Sequence, residues 1–259
     1  MNSRSSKWFP YSDELKLNSD TIIVFCFHHA GGSASAYKKW SDSSDTNMAF
    51  VPVELPGKGC RASEKYICDM QEIAEEAAEA IYDFADGHKF ILYGHSMGSV
   101  IAFKTAYELE NSYPEKPLAI VVSGRHSPSV FIQDRYTTDM DDDALVEELK
   151  IMGGTPDEIL NNRNVLKIFL PFIKNDYKLN ESFRYNGEVL SIPIYAYAGT
   201  DDPDAAPDML DDWNDVTTES IVKREFNGTH FFPFDLGPVY LDTLKKRIIR
   251  RYAVKGAVG

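Results

Sequence analysis

Ser96 stands at the centre of Gly94-His95-Ser96-Met97-Gly98, a serine with a glycine two residues to either side. A serine hydroxyl is a weak nucleophile until a base removes its proton. The chemistry this pattern supports is therefore acyl transfer through a covalent ester, with a histidine and a carboxylate supplied from elsewhere in the chain. Residues 89–93 before the pentapeptide read as a strand, and residues 99–109 after it read as a helix. A G-x-S-x-G segment between strand and helix is a nucleophile elbow, a turn so sharp that its second neighbours on both sides must be small.

Only two histidines follow Ser96, His126 and His230. His126 lies three residues beyond the strand-like run 118–123. His230 sits in Phe226-Asn227-Gly228-Thr229-His230-Phe231-Phe232, directly after the run 220–226, where a loop would return over the serine. His230 is the predicted base. The acid is expected after the run 192–198, in Gly199-Thr200-Asp201-Asp202. A glycine closing the strand with an aspartate three residues on favours Asp202 over Asp201. The order serine, aspartate, histidine is that of the α/β-hydrolase plan. The negative charge that develops on the substrate oxygen needs waiting donors. One is expected from the backbone N–H of Met97, and the other from the loop His28-His29-Ala30-Gly31-Gly32-Ser33, with Ala30 preferred and His29 the alternative. The tandem histidines read as loop residues rather than metal ligands. The acidic stretch 201–215 lacks the central glycine and closing glutamate of a calcium loop. No metal and no cofactor are expected.

These positions must be carried by a sheet. The run 21–27 is continuously β-branched and aromatic, as in a strand buried on both faces, and the runs 50–55, 89–93, 118–123, 192–198 and 220–226 read as further strands. Pro52 weakens the second. Ile73, Ala77, Ile81 and Phe84 recur at helical spacing between the second and third runs. Strands alternating with helices predict an α/β fold with a mostly parallel sheet flanked by helices. Residues 128–190 break the alternation. Leu145, Leu149 and Met152 form an apolar face that ends at Gly153-Gly154. Thr155-Pro156-Asp157-Glu158 reads as a capping box, with the cap at Thr155, and a further helix carries Val165, Leu166, Phe169, Leu170 and Ile173. The segment is read as a helical lid inserted in a single domain spanning 1–259.

With 259 residues and 43% hydrophobic content, the chain can bury a full core. The net charge of −13, from 27 basic and 40 acidic residues, disfavours nucleic acid and anionic membranes as partners. Cys26, Cys60 and Cys68 are too few and too scattered for a disulfide framework or a metal motif. The first twenty residues are polar, and no run reaches membrane-span length. A soluble, cytoplasmic monomer is expected. Lys245, Lys246, Arg247, Arg250, Arg251 and Lys255 make the C-terminal helix basic, which reads as a solvated face before it reads as a docking site.

Several segments outside the pentapeptide carry a resemblance. Trp8-Phe9, then Phe25-Cys26-Phe27-His28-His29-Ala30-Gly31-Gly32-Ser33 with Trp40 downstream, resemble the opening signatures of the type II thioesterases of nonribosomal peptide and polyketide synthesis. Glu54-Leu55-Pro56-Gly57-Lys58-Gly59-Cys60-Arg61 resembles their L-P-G-R-G-x-R loop. Ser123-Gly124-Arg125-His126-Ser127-Pro128 resembles the segment that opens their lid, and Leu170-Pro171 with Asp176-Tyr177 its second half. The likeness covers nearly the whole chain. It departs at His28, where the family usually has proline, and at Lys58, where arginine is common. The resemblance implies hydrolysis of acyl or aminoacyl thioesters on the phosphopantetheine arm of acyl or peptidyl carrier proteins, an editing role in which the substrate itself brings the phosphopantetheine. The same serine, aspartate and histidine would equally serve an esterase or lipase acting on small oxygen esters.

Overall fold

The computed structural model describes residues 5–131 and 137–252. Its strands are β1 (Ile22–Phe27), β2 (Met48–Pro52), β3 (Phe90–His95), β4 (Ile120–Ser123), β5 (Ile194–Gly199) and β6 (Ile221–Phe226). Its α-helices are α1 (Ser5–Trp8), α2 (Lys38–Asp42), α3 (Met70–Ala85), α4 (Met97–Ser112), α5 (Asp142–Met152), α6 (Asp157–Leu160), α7 (Arg163–Ser182), α8 (Phe232–Asp235) and α9 (Pro238–Tyr252). The six strands form one sheet in the order β2-β1-β3-β4-β5-β6, and every pairing is parallel.

Parallel strands need crossovers, and the crossovers put helices on both faces. Alternate residues of β1 show the consequence. Ile23, Phe25 and Phe27 join one core with residues of α3 and α4, while Ile22, Val24 and Cys26 join the other with Trp40, Phe232 and the inner face of α9. The four inner strands and β2 are buried along their whole length, whereas the edge strand β6 is only partly covered. The loops that leave the carboxyl ends of β1, β3, β4, β5 and β6 therefore gather at one edge of the sheet. Those loops contain Ala30, Ser96, Gly124, Asp202 and His230.

The second strand lies earlier than its apolar run suggested, at Met48–Pro52 rather than 50–55. Pro52 has no N–H for a ladder and ends the strand at the sheet edge. The Val53 N–H still reaches Cys26 O at 3.0 Å, but the Glu54 N–H turns away to Trp8 O at 2.8 Å. The capping box at Thr155 does not form. Helix α6 begins one residue later, at Asp157, with Pro156 as its extended N-cap (φ −58°, ψ 143°) and no side-chain cap. The helix is a single turn, and the Pro156 carbonyl receives the Ile159 and Leu160 N–H groups instead. Gly153 does close α5, with φ +75°. Helices α5 to α7 share a small core of Leu145, Leu149, Leu160, Leu170 and Ile173, separate from the two that cover the sheet.

Much of the basic face of α9 is spent within the molecule. Lys245 Nζ donates to Ser43 O and pairs with Asp45 at 2.9 Å, Lys246 pairs with Asp242 at 2.5 Å, and Arg251 donates to Ser220 Oγ at 3.2 Å. Lys255 lies outside the described residues. None of the described helices is long and apolar enough to cross a membrane.

The elbow sets a sharp steric demand. A Cβ on Gly94 would lie 2.1 Å from Gly98 O and 2.5 Å from the Ser99 Cα, all backbone, while one on Gly87 (φ +82°) meets nothing within 4 Å. Gly94→Ala is expected to cost more than about 3 kcal/mol in urea unfolding, and Gly87→Ala about 1 kcal/mol from its left-handed backbone alone. Equal losses would contradict this reading.

Candidate active site

Ser96 links β3 to α4 with φ +54° and ψ −121°, a conformation that side chains rarely adopt. It is one of two non-glycine residues with positive φ among those described, the other being the helix-ending Asp86. Neighbouring bonds hold the strained turn. The Ser96 N–H donates to Ser123 O at 2.8 Å, and the Ser99 N–H returns to Ser96 O at 2.9 Å. The Ser99 hydroxyl donates to Gly94 O at 3.0 Å and accepts from the Ser123 N–H at 3.1 Å. Gly98 lies so close to β1 that a Cβ would fall 2.2 Å from Phe27 O. Elbow and first loop are thus placed by one contact. Met97 opens α4, so its N–H has no carbonyl one turn back to receive it.

Asp202 and His230 meet at the ends of β5 and β6. The His230 Nδ1–H donates to Asp202 Oδ2 at 2.9 Å, with Oδ1 at 3.1 Å. Both residues are buried, 3% and 4% exposed. Asp202 Oδ1 also receives the N–H groups of Asp204 and Ala205 at 3.0 and 3.2 Å. Burial pushes this carboxyl up, but the His230 hydrogen bond and charge and the two N–H groups outweigh it, so the group stays below the usual carboxylate range. A carboxylate can only accept, so Nδ1 of His230 is the donating nitrogen, and in the neutral ring this leaves the lone pair on Nε2. Asp201 is exposed, and its carboxylate accepts from the Thr200 hydroxyl. Of the two candidate acids, the structure brings only Asp202 to the histidine.

Gly124 ties this pair to the elbow. It follows Ser123, whose carbonyl receives the Ser96 N–H, and a Cβ on it would lie 2.7 Å from His95 Cε1 and 3.2 Å from His230 Cε1. The His230 ring lies 5.0 Å from the ring of His95, the residue before Ser96. His126 is elsewhere. It lines a cavity of about 600 Å³ with Val100, Arg125, Phe131, Phe183 and Arg184, between the start of α4, the loop after β4 and the end of α7.

In the first loop, three N–H groups are committed inward. Gly31 donates to Asp176 Oδ2 at 2.6 Å, Gly32 to His29 O at 3.0 Å and Ala34 to Glu54 Oε1 at 3.0 Å. His28, the residue that departs from the family, is buried, and its Nδ1–H donates to His29 O at 2.8 Å. The His29 Nδ1–H donates to Ala30 O at 2.9 Å. Lys58 and Asp176, singled out in the sequence only through resemblance, form an ion pair beneath this loop. Nothing in periodicity or spacing reveals that partnership, since 118 residues separate the two.

Fold and site together define an α/β-hydrolase built around a serine. The comparisons narrow that class. A family model described as a thioesterase domain matches residues 22–246. At 30% identity over 90% of both chains, the chain is similar to the gramicidin S biosynthesis protein GrsT of Aneurinibacillus migulanus. At 31% identity, over 82% of this chain and 81% of the relative, it is similar to a Brevibacillus parabrevis protein named linear gramicidin dehydrogenase LgrE. Among solved structures, it superimposes on the type II thioesterase BorB from the borrelidin biosynthetic cluster with a TM-score of 0.79, at 28% identity over 90% of this chain and 95% of that one. The chain belongs to the thioesterase family, among the type II thioesterases of nonribosomal peptide and polyketide synthesis.

Burial gives the site a pH signature. Burial pushes the imidazoles of His28 and His95 well below their ordinary range, and it takes His29 and His126 down to about 4. Unfolded histidine titrates near 6.5, so as pH falls from about 6.5 to 4 the unfolded chain takes up protons that the folded chain refuses. Stability from these groups is complete above that window and is lost through it. Glu54 and Asp176, whose carboxyls burial pushes up, act in the opposite sense, two groups against four. Calorimetric Tm is expected to fall steadily from pH 7 to 5, less steeply in His95→Gln. A Tm that is flat or rises across this range would contradict the assignment.

Proposed function

We propose that Ser96, His230 and Asp202 act together to hydrolyse acyl or aminoacyl thioesters held on the phosphopantetheine arm of carrier proteins, clearing arms that would stall a synthase. The observation that carries this reading is the buried Asp202–His230 hydrogen bond beside a strained serine elbow. Ser96 Oγ attacks the thioester carbonyl while His230 Nε2 takes its proton. The oxyanion faces the N–H group of Met97 and one from the first loop, where Ala30 is preferred to His29 and the N–H groups of Gly31, Gly32 and Ala34 are engaged elsewhere. Asp202 stabilises the imidazolium. The intermediate expels the pantetheine thiolate, which takes the proton back from His230 and leaves more readily than an alkoxide because a thiol ionises near pH 8.5. Water, deprotonated by the same nitrogen, then adds to the Ser96 ester, and Ser96 Oγ departs with that proton. All three groups come from one polypeptide, so a single copy suffices.

Helices α5 to α7 form the lid in this reading. Burial under such a cover excludes water from the ester until the thiol has left.

One relative's name raises a redox alternative. Gly57-Lys58-Gly59-Cys60-Arg61-Ala62 matches G-x-G-x-x-A, a dinucleotide-binding pattern. That pattern needs a helix start to receive the pyrophosphate. Here only a three-residue 3-10 turn, Gly59–Arg61, follows, and the space a Cβ on Gly59 would enter is taken by the Glu54 carboxylate, whose Oε2 would lie 1.8 Å away. An acidic group there repels a phosphate, and the thioesterase reading stands.

Intact-mass analysis of carrier proteins loaded with acetyl, aminoacyl and longer acyl groups tests this. Wild type is expected to return the free thiol form. Ser96→Ala is expected to lose at least about a thousandfold in rate. Asp202→Asn should lose about a hundredfold or more, while Asp201→Asn stays within about threefold of wild type. Failure of wild type to unload any carrier, or a reversed order for the two aspartates, would overturn the reading.

A further inference from the structure

The buried pair Lys58–Asp176 lies under the loop that offers the second oxyanion donor. Lys58 Nζ stands 2.5 Å from Asp176 Oδ2, and the two side chains are 5% and 3% exposed. The same carboxylate oxygen receives the Gly31 N–H at 2.6 Å, and the same ammonium donates to Gly32 O at 2.9 Å. Two charged groups, one from the loop after β2 and one from α7, therefore grip both ends of the Gly31-Gly32 turn. Gly31 sits at φ +79°, and a Cβ there would lie 3.0 Å from Ile173 Cγ1 on α7, so the helix also limits the loop sterically.

The grip reaches the Ala30 N–H through the peptide planes. A trans peptide points its carbonyl and its N–H in opposite directions. The His29–Ala30 peptide has its carbonyl fixed by two donors, the Gly32 N–H at 3.0 Å and the His28 Nδ1–H at 2.8 Å. The next plane is fixed at its carbonyl by the His29 Nδ1–H and at its N–H by Asp176. Removing either charge frees the Gly31-Gly32 turn, and with it the direction of the Ala30 N–H.

We propose that Lys58 and Asp176 are positioning residues for the reaction, a latch that holds the oxyanion loop in donor geometry and makes that geometry depend on α7 being seated over the sheet. This rests on the thioesterase reading above. A latch acts in the transition state, where the oxyanion exists, and not on the ground-state thioester, so it appears in kcat and not in KM.

The test uses the full chain and an acetyl-loaded peptidyl carrier domain. Lys58→Met and Asp176→Asn are each expected to lower kcat at least tenfold with KM within threefold, and to weaken binding of an alkyl trifluoromethyl ketone, which forms a tetrahedral adduct with the serine, by a similar factor. Lys58→Arg should recover kcat to within threefold. The double variant Lys58→Met/Asp176→Leu removes both buried charges, so it should recover Tm without recovering kcat. Full kcat in the folded single variants, a loss confined to KM, or recovery of kcat together with Tm in the double variant would each overturn the latch while leaving wild-type unloading, and the function it supports, intact. Hydrogen exchange on wild type supplies a second arm that needs no variant. The backbone amides of residues 28–33 and of α7 are expected to open together, and independent opening would refute the coupling. If wild type itself unloads no carrier, the functional reading falls and the latch falls with it.

Discussion

The backbone of Ser96 is the constraint on which the rest of the site depends. At φ +54° and ψ −121° it is held in a region that costs of order 1–3 kcal/mol, and the surrounding sheet supplies that energy. The strain has a geometric return. It lifts the serine out of the strand line while starting α4 at the next residue, so the Ser96 side chain and the first N–H groups of the helix share one turn. Because the turn is tight, Gly94 packs on Gly98 and Gly98 packs on Phe27 O, all through backbone. The end of β1 is therefore fixed relative to Ser96, and the loop that follows β1 starts from a place that the elbow itself defines.

The remaining groups arrive by the logic of a parallel sheet. Each strand delivers its carboxyl end to the same edge, and glycine appears where two of those ends must touch. Gly124 leaves room for the rings of His95 and His230, and Gly199 leaves room for the Gly228 and Thr229 carbonyls of the histidine loop. The electrostatic design is uneven by purpose. Asp202 is held ionised by His230 and two N–H groups, whereas His29 and His95, close to the same ring, are kept neutral by burial. In the proposed reaction an imidazolium at His230 would then have one negative partner and no positive competitor among these neighbours. Lys58 and Asp176 extend the same principle to the oxyanion loop, placing two compensating charges where the backbone must not drift.

Sequence legibility followed the length scale of each interaction. The elbow and the strand runs are local patterns, readable because backbone geometry restricts residue type at short range, and Asp202 and His230 are found by their places directly after successive strands. Pro52 showed the limit. It correctly marked a weak strand, but the strand ends there rather than continuing to Leu55, because an edge proline stops the ladder. The capping box at Thr155 failed for a related reason: Pro156 itself takes the extended cap conformation, so the helix starts beyond it. The choice of Asp202 over Asp201 rested on spacing, and the structure brings Asp202 to His230 while leaving Asp201 at the surface. Lys58 with Asp176 was invisible to any such rule. A lysine in a glycine loop and an aspartate on an amphipathic helix each look like solvated surface, and only the fold makes them a buried pair.

The central claim is that the strained serine becomes acylated by the carrier's thioester. Rapid quench of the enzyme with an acyl-loaded carrier, followed by digestion and peptide mass mapping, reads this step directly. A transient acyl mass is expected on the peptide containing Gly94-His95-Ser96-Met97-Gly98, formed no more slowly than turnover and absent in Ser96→Ala. Turnover with no adduct on that peptide, or an acyl group carried by a different residue, would contradict it.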